Sequence, residues 1–174
     1  MKKSAKMSSN TTSSKDITEI LTKEYMLYLA TQDRGDMTAV EGFMSPSCWQ
    51  LARQDPSWNL ESRSDIMKIL NSTRDPKAAP QERGKVDIRA PTKEERNTLP
   101  DSEKERASLE GWEALRVDLE DADPAGRLVK VIYYFRKEHG RWVHCLHDLI
   151  FVGPRSGGTG DATKGMGAEI FGKK

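Results

Sequence analysis

Leu128-Val129-Lys130-Val131-Ile132-Tyr133-Tyr134-Phe135 and Arg141-Trp142-Val143-His144-Cys145-Leu146-His147-Asp148-Leu149-Ile150-Phe151-Val152, joined through Glu138-His139-Gly140, decide the fold of this chain. Both runs are rich in β-branched and aromatic residues, which suit a pleated, half-buried surface. The short polar link ending in Gly140 is a hairpin signal. Immediately upstream, Leu115, Val117 and Leu119 alternate with Arg116, Asp118 and Glu120, and Asp123-Pro124-Ala125-Gly126 reads as a turn. Three strands joined by tight turns predict an antiparallel meander over residues 112 to 152. One competing pattern exists: Leu109, Trp112, Leu115 and Leu119 approximate a helical stripe.

Further upstream the apolar period lengthens from two to between three and four. Ile17, Ile20, Leu21, Tyr25, Tyr28 and Leu29 predict a helix with one buried face, capped by Asp16 and ended by Gly35. Asp36 is suited to cap a second helix carrying Met37, Val40, Phe43 and Met44, with Pro46 as its stop. Cys48 to Ala52 is a short strand. Ser62 or Ser64 caps a third helix over Asp65 to Leu70, with Ile66, Ile69 and Leu70 inward. Asn71 to Gly84 reads as loop, Lys85 to Arg89 as strand, and the charged run Thr92 to Glu110 as loop or frayed helix on solvated surface. Helices first and a meander last imply α+β, with three N-terminal helices packed on one face of a curved, mostly antiparallel sheet.

With 174 residues the chain fits one domain able to bury a core. The expected organisation is a basic, Ser-rich leader over 1–15, the folded domain over 16–152, and a Gly-rich tail over 153–174 in which Ile170-Phe171 could dock back. A net charge of +1 argues against a nucleic-acid protein. No apolar run approaches the ~20 residues of a membrane span, and the leader lacks the apolar stretch of a secretory signal. The leader is compatible with an organelle-targeting segment only in being basic and Ser-rich, as it has no Arg. Cys48 and Cys145 fit a reducing, cytoplasmic setting, with a single disulfide left open.

The element order, together with Gly140-Arg141-Trp142 opening the last strand, resembles the nuclear transport factor 2-like (SnoaL-like) superfamily, a cone-shaped α+β fold. Its members include polyketide cyclases, ketosteroid isomerases, scytalone dehydratase and non-catalytic modules. Leu115-Arg116-Val117, the run Phe135 to Trp142 and the ending Ile170-Phe171-Gly172-Lys173-Lys174 are similar to scytalone dehydratase, in which the C-terminal segment covers the pocket. That resemblance implies a lid role for the tail. The family's catalytic set is not carried over. Its two histidine positions fall in Lys85 to Arg89 and at Leu119, its Ser/Asn positions at Val129 and Val131, and its tyrosine positions at Gln32 and near Ala52. Only its aspartate has an equivalent, Asp33.

Strand alternation places Val143, Cys145, His147, Leu149 and Phe151 on one face of the last strand. Aligned with the resemblance, Cys145, His147, Leu149 and Phe151 line a cavity with Val129, Val131 and Tyr133. His147 is the leading general acid/base, because imidazole takes and gives protons near neutral pH. Asp33 is the second catalytic candidate, able to hold a histidine tautomer or a water. Tyr28 and Tyr133 could donate to a substrate oxygen, and Asp87 could face inward. For each of these, plain packing, capping or solvation is the competing reading. The tryptophans read as packing, and the cysteines carry no sign of nucleophilicity. His144 and His147, three apart on a strand, point to opposite faces and cannot act on one ion without a bulge. No metal or cofactor is expected. The chain therefore reads as a small-molecule pocket protein for a hydrophobic or aromatic ligand. If it is an enzyme, it is a cofactor-independent lyase or isomerase of the cyclase, dehydratase or isomerase type. The alternative is a non-catalytic binding module that forms a homodimer through its outer sheet face.

Overall fold

The computed structural model describes residues 13–73, 86–122 and 127–152. The expectations for the leader up to residue 12, the turn at 123–126, and the tail with its lid role lie outside those residues. Helix α1 (Ser14–Arg34) leads to α2 (Met37–Glu41), strand β1 (Met44–Ala52), a 3-10 turn (Pro56–Trp58) and α3 (Arg63–Thr73). Then come β2 (Val86–Arg89), α4 (Lys93–Arg96), α5 (Asp101–Glu110), β3 (Glu113–Ala122), β4 (Leu128–Glu138) and β5 (Arg141–Val152). The strand order is β1-β5-β4-β3-β2, with β1 parallel to β5 and every other pairing antiparallel. Residues 113 to 122 are strand, so the helical stripe that competed for this segment is not used. The β4–β5 hairpin turns through His139 and Gly140, both at positive φ (50° and 79°), as a two-residue primed turn demands.

Helix α1 begins earlier than read. Ser13 is the cap, its Oγ accepting from the Asp16 backbone N–H at 3.3 Å, while Asp16 reaches back to the Ser13 N–H at 3.2 Å. Asp16 is therefore the third-position partner of a capping box and not the cap itself. Gly35, at φ 77°, closes the helix in the left-handed conformation. Leu21, Tyr25, Tyr28 and Leu29 are buried, whereas Ile20, expected inward, is 39% exposed. Asp36 caps α2 through the Ala39 N–H at 3.1 Å. The expected extension of α2 to Met44 does not occur. Gly42 ends the helix, and the Phe43 carbonyl accepts from the His144 N–H at 2.8 Å, which draws the chain into the sheet. Pro46 lies where β1 and β5 lose register, so its missing N–H costs no ladder bond. Ser62 caps α3 through the Asp65 N–H at 3.2 Å.

The main core lies between the helices and one sheet face. Leu21, Tyr25, Tyr28 and Leu29 of α1 pack with Ile66, Met67 and Leu70 of α3 on Leu115, Val117, Val129, Val131, Tyr133, Phe135 and Leu149. The other sheet face carries a second core: Trp112, Ala114, Ile132, Tyr134, Cys145 and Leu146, closed over by Leu99. Residues 92 to 110, expected as solvated loop or frayed helix, are the cover of that face. Thr92 and Glu95 form a capping box that starts α4, and Glu95 also binds the guanidinium groups of Arg89 and Arg116. Beyond it, Arg53 on the far side of the sheet donates to Thr98 Oγ1 at 3.0 Å and to the buried Asp148 carboxylate at 2.9 Å. Burial pushes Asp148 up to about 6 against the opposing pull of Arg53. Helix α5 buries no residue, which is why its sequence shows no apolar stripe.

Because Leu99 is 4% exposed and Leu109 is 81% exposed, the two should respond differently to truncation. Leu99→Ala is expected to lower unfolding free energy by roughly 2–4 kcal/mol, and Leu109→Ala to leave it within about 0.5 kcal/mol of the parent. Urea denaturation of both variants checks this, and equal, small effects would mean that 92–110 does not cover the sheet.

Candidate functional site

Strand β5 breaks its own alternation at one place. Tyr134 pairs with Leu146 and Phe135 with His144, so Cys145 is an extra residue opposite no partner. This is a β-bulge, and it leaves Cys145 and Leu146 on the same, outer face. Beyond the bulge the alternation resumes in opposite phase. His144 and His147, three apart, consequently both project into the main core. Sequence alternation had set them on opposite faces and had set Cys145 with His147. The bulge reverses both assignments, and Cys145 packs in the outer core, with its Sγ 3.2 Å from the Tyr134 carbonyl.

The two rings meet. His144 Nδ1 lies 3.1 Å from His147 Nε2, and Cys48 Sγ lies 3.9 Å from that same His147 nitrogen. Both histidines are fully buried, and neither His144 Nε2 nor His147 Nδ1 has a hydrogen-bond partner among the described residues. Aromatic rings wall the pair. Tyr28 and Phe135 each stand 4.7 Å from the His144 ring, and Tyr133 stands 4.8 Å from His147, all three edge-on. Tyr28 Oη accepts from the buried Gln32 amide at 3.2 Å. Burial holds His147 down at about 3 and His144 well below the usual imidazole range, the second ring adding to the shift of the first. The pair is therefore neutral at pH 7, with one ring donating to the other. Burial also pushes the Cys48 thiol up, so it is not a thiolate nucleophile.

Of the other expected site residues, Tyr28, Val129, Val131, Tyr133, Leu149 and Phe151 all belong to this core. Arg127 lies over the Phe151 ring at 4.1 Å and bonds Asp55. Asp33 and Asp87 do not join them. Asp33 is exposed in the last turn of α1, one residue past the buried Gln32. Asp87 is exposed on β2, because its neighbours Val86 and Ile88 take the core-facing positions. His144 and Cys48 are the members that sequence reasoning missed. The His-x-x-His spacing was visible, but the bulge that makes it productive was not. No three His, Cys, Asp or Glu side chains gather as a metal site among the described residues.

Burial of neutral imidazoles makes stability depend on pH. The unfolded chain protonates its histidines near 6.5, whereas the folded rings resist until far lower pH. Below 6.5 the unfolded state thus binds more protons, and stability falls as pH falls. Asp148 acts oppositely between about 6 and 3.8, since its folded form holds a proton that the unfolded carboxyl has released. Two histidines outweigh one carboxyl, so melting temperature should drop from pH 6.5 to 4.5. Asp148→Asn should steepen the drop and His147→Gln should flatten it. A wild-type curve flat across that range would mean that the rings are not buried neutral.

The SnoaL-like domain family model matches residues 10–103 and 92–167 of the chain. No curated protein matches it. A nuclear-transport-factor-2-like protein of unknown function from Silicibacter pomeroyi superposes with a TM-score of 0.51 at 15% identity, over 80% of this chain and 98% of that one. A Novosphingobium aromaticivorans structure whose name assigns it provisionally to scytalone dehydratase superposes with a TM-score of 0.50 at 11% identity, over 84% and 93% of the two chains. At such identities these likenesses speak to fold alone. No helix among the described residues is long and apolar enough to cross a membrane. The α+β cone, its helices on a curved and mostly antiparallel sheet, and the family match together establish that this chain belongs to the SnoaL-like domain family.

Proposed function

We infer that this protein binds an uncharged, hydrophobic or aromatic small molecule against the His144–His147 pair and acts on it by acid–base chemistry without a cofactor. The observation that carries this reading is the pair of ring nitrogens left without partners in a fully buried position. Leaving such a group unsatisfied costs about 1–3 kcal/mol. Native proteins keep few of them, and each calls for an explanation; Trp58 Nε1 and Tyr134 Oη share this state, but the two imidazole nitrogens belong to rings in mutual contact. A ligand with a hydroxyl or carbonyl would satisfy these nitrogens, and the Tyr28, Tyr133 and Phe135 rings would flank it. His147 is the general acid/base, and His144 positions it through the 3.1 Å contact. A carboxylate is not needed for this, which accords with the outward placement of Asp33 and Asp87. A cyclase, dehydratase or isomerase working on a neutral substrate fits these features.

One observation favours a second reading. The side chains of His147, Tyr25, Tyr28, Val129 and Val131 have no accessible surface, so no water-sized space adjoins them. A filled cone is what a non-catalytic module would show. An enzyme with this interior must open to admit its ligand. A homodimer through the outer sheet face is disfavoured under either reading, because residues 92 to 110 cover that face.

The readings separate on one variant. Uncharged naphthols and tetralones, screened by thermal shift, should raise the melting temperature of the wild type and not that of His147→Gln. Equal shifts in both, or none in either, would favour the module. Scytalone itself should not be dehydrated at an enzymatic rate, since Val129, Val131 and Leu119 stand at the positions that resemble that family's relay. Turnover of scytalone that His147→Ala abolishes would overturn this.

A further inference from the structure

We propose that residues 92–110 are a strap that opens and closes over the outer sheet face while the rest of the fold stays intact, and that the charge on Asp148 beneath it sets the balance: closed over the acid, loosened over the carboxylate. The strap is lightly held. Leu99 is its one buried side chain, and α5 buries none. Its other attachments are polar and mostly open in part to water. They join Glu95 to Arg89 and Arg116, Thr98 to Arg53, Arg96 to the Trp112 carbonyl, and Glu110 to Arg136. Ion pairs that water can reach contribute little each. Segments with few buried apolar contacts are the ones that open locally, ahead of the whole fold.

Closure strips water from polar atoms of the sheet. Asp148 is fully buried between Leu51 of β1 and Ile132 of β4, and its Oδ1 has no hydrogen-bond partner among the described residues. Tyr134 Oη and Trp49 Nε1 share that state. The other oxygen, Oδ2, accepts from Arg53 Nη2 at 2.9 Å, and the same nitrogen donates to Thr98 Oγ1 at 3.0 Å. One guanidinium nitrogen thus ties the buried carboxylate to the strap. The remaining charged groups of this face come from three elements. Arg116 and Asp118 of β3, Lys130 of β4 and Glu95 of the strap pair among themselves. Arg96 lies on the strap, and Glu103 of α5 turns one carboxylate oxygen away from water. Burial first, and Asp148 next, push the Tyr134 phenol up, so it stays neutral. Burial raises Asp148 itself to about 6 against the pull of Arg53. In the open strap Asp148 meets water and returns toward the ordinary 3.8. The closed strap therefore binds the proton more tightly than the open one, and between about 6 and 3.8 a falling pH closes it. Above that range the closed state must bury a charge whose one partner is itself partly exposed, and the strap loosens.

Cys145 is a built-in reporter. It lies in the outer core at 2% exposure, whereas Cys48 is fully buried in the main core. Dithiodipyridine modifies thiols across the acid and neutral range. Its rate at each cysteine, mapped by peptide mass spectrometry and divided by that of a free cysteine peptide at the same pH, separates opening of the outer face from unfolding of the chain. The expected result for the wild type is a Cys145 rate about tenfold lower at pH 5 than at pH 7.5, with Cys48 unreacted. Asp148→Asn should react slowly and without dependence on pH, and Leu99→Ala should react faster than the wild type throughout. A wild-type Cys145 rate that is flat with pH, or that rises as pH falls, overturns the proposal. So does a dependence that Asp148→Asn retains, which would transfer it to Glu103. Cys48 reacting in step with Cys145 would mean that the chain opens as a whole, and the proposal fails. Should Asp148→Asn not fold, the wild-type profile with Cys48 as its internal reference still decides.

Discussion

The bulge at Cys145 is the constraint on which the interior of this protein depends. A regular strand would set His144 among the outer side chains and Cys145 among the inner ones. One extra residue opposite Tyr134 reverses the phase and gathers both histidines in the main core. It also sends Cys145 and Leu146 outward together, where they help fill the second core. The irregular start of β1 acts in the same neighbourhood. Between Met44 and Trp49 that strand loses its register with β5, and Cys48 turns inward to reach His147. Bulges are often placed beside functional positions because they re-aim a side chain without disturbing the rest of the ladder.

Energetically the pair is a local liability in a largely apolar core. The rings satisfy one another through a single contact and leave two nitrogens dry. They cannot lower that cost by charging, since burial opposes an imidazolium. A valine or leucine at either position would satisfy the packing of Tyr28, Tyr133 and Phe135 without any such cost.

The outer face follows a different logic. Trp49, Leu51, Trp112, Tyr134, Leu146 and Ile150 form an apolar surface of the kind that usually needs a cover. This chain supplies its own, a strap held near its start by Glu95 with Arg89 and Arg116 and by Thr98 with Arg53, and at its end by Glu110 with Arg136. Leu99, directly after the second clamp, is the strap's one buried side chain. The strap makes the sheet two-sided within a single copy, which explains why both faces of β5 are apolar.

Much of this was legible from residue order. The period of two in β3 to β5, the turn at His139-Gly140, the stripe of α1 and its Gly35 stop, and the Asp36 cap all depend on local backbone preferences and on which face is buried. Those signals belong to short stretches of chain and survive in the sequence. The buried set Tyr28, Val129, Val131, Tyr133, Leu149 and Phe151 was legible for the same reason. The strap was not, because a helix that buries nothing carries no periodic signal, and Leu99 is a single anchor whose partners are distant in the chain. The site was not legible either. Whether His144 and Cys145 point in or out depends on one residue of register between β4 and β5, and register is settled by packing across strands. The exposure of Asp33 and Asp87 was decided by which neighbours the core took. The sequence alone determined that the chain folds as helices on a curved sheet with a histidine near its centre. Only the tertiary structure decided that there are two histidines, because only pairing with β4 makes Cys145 the extra residue.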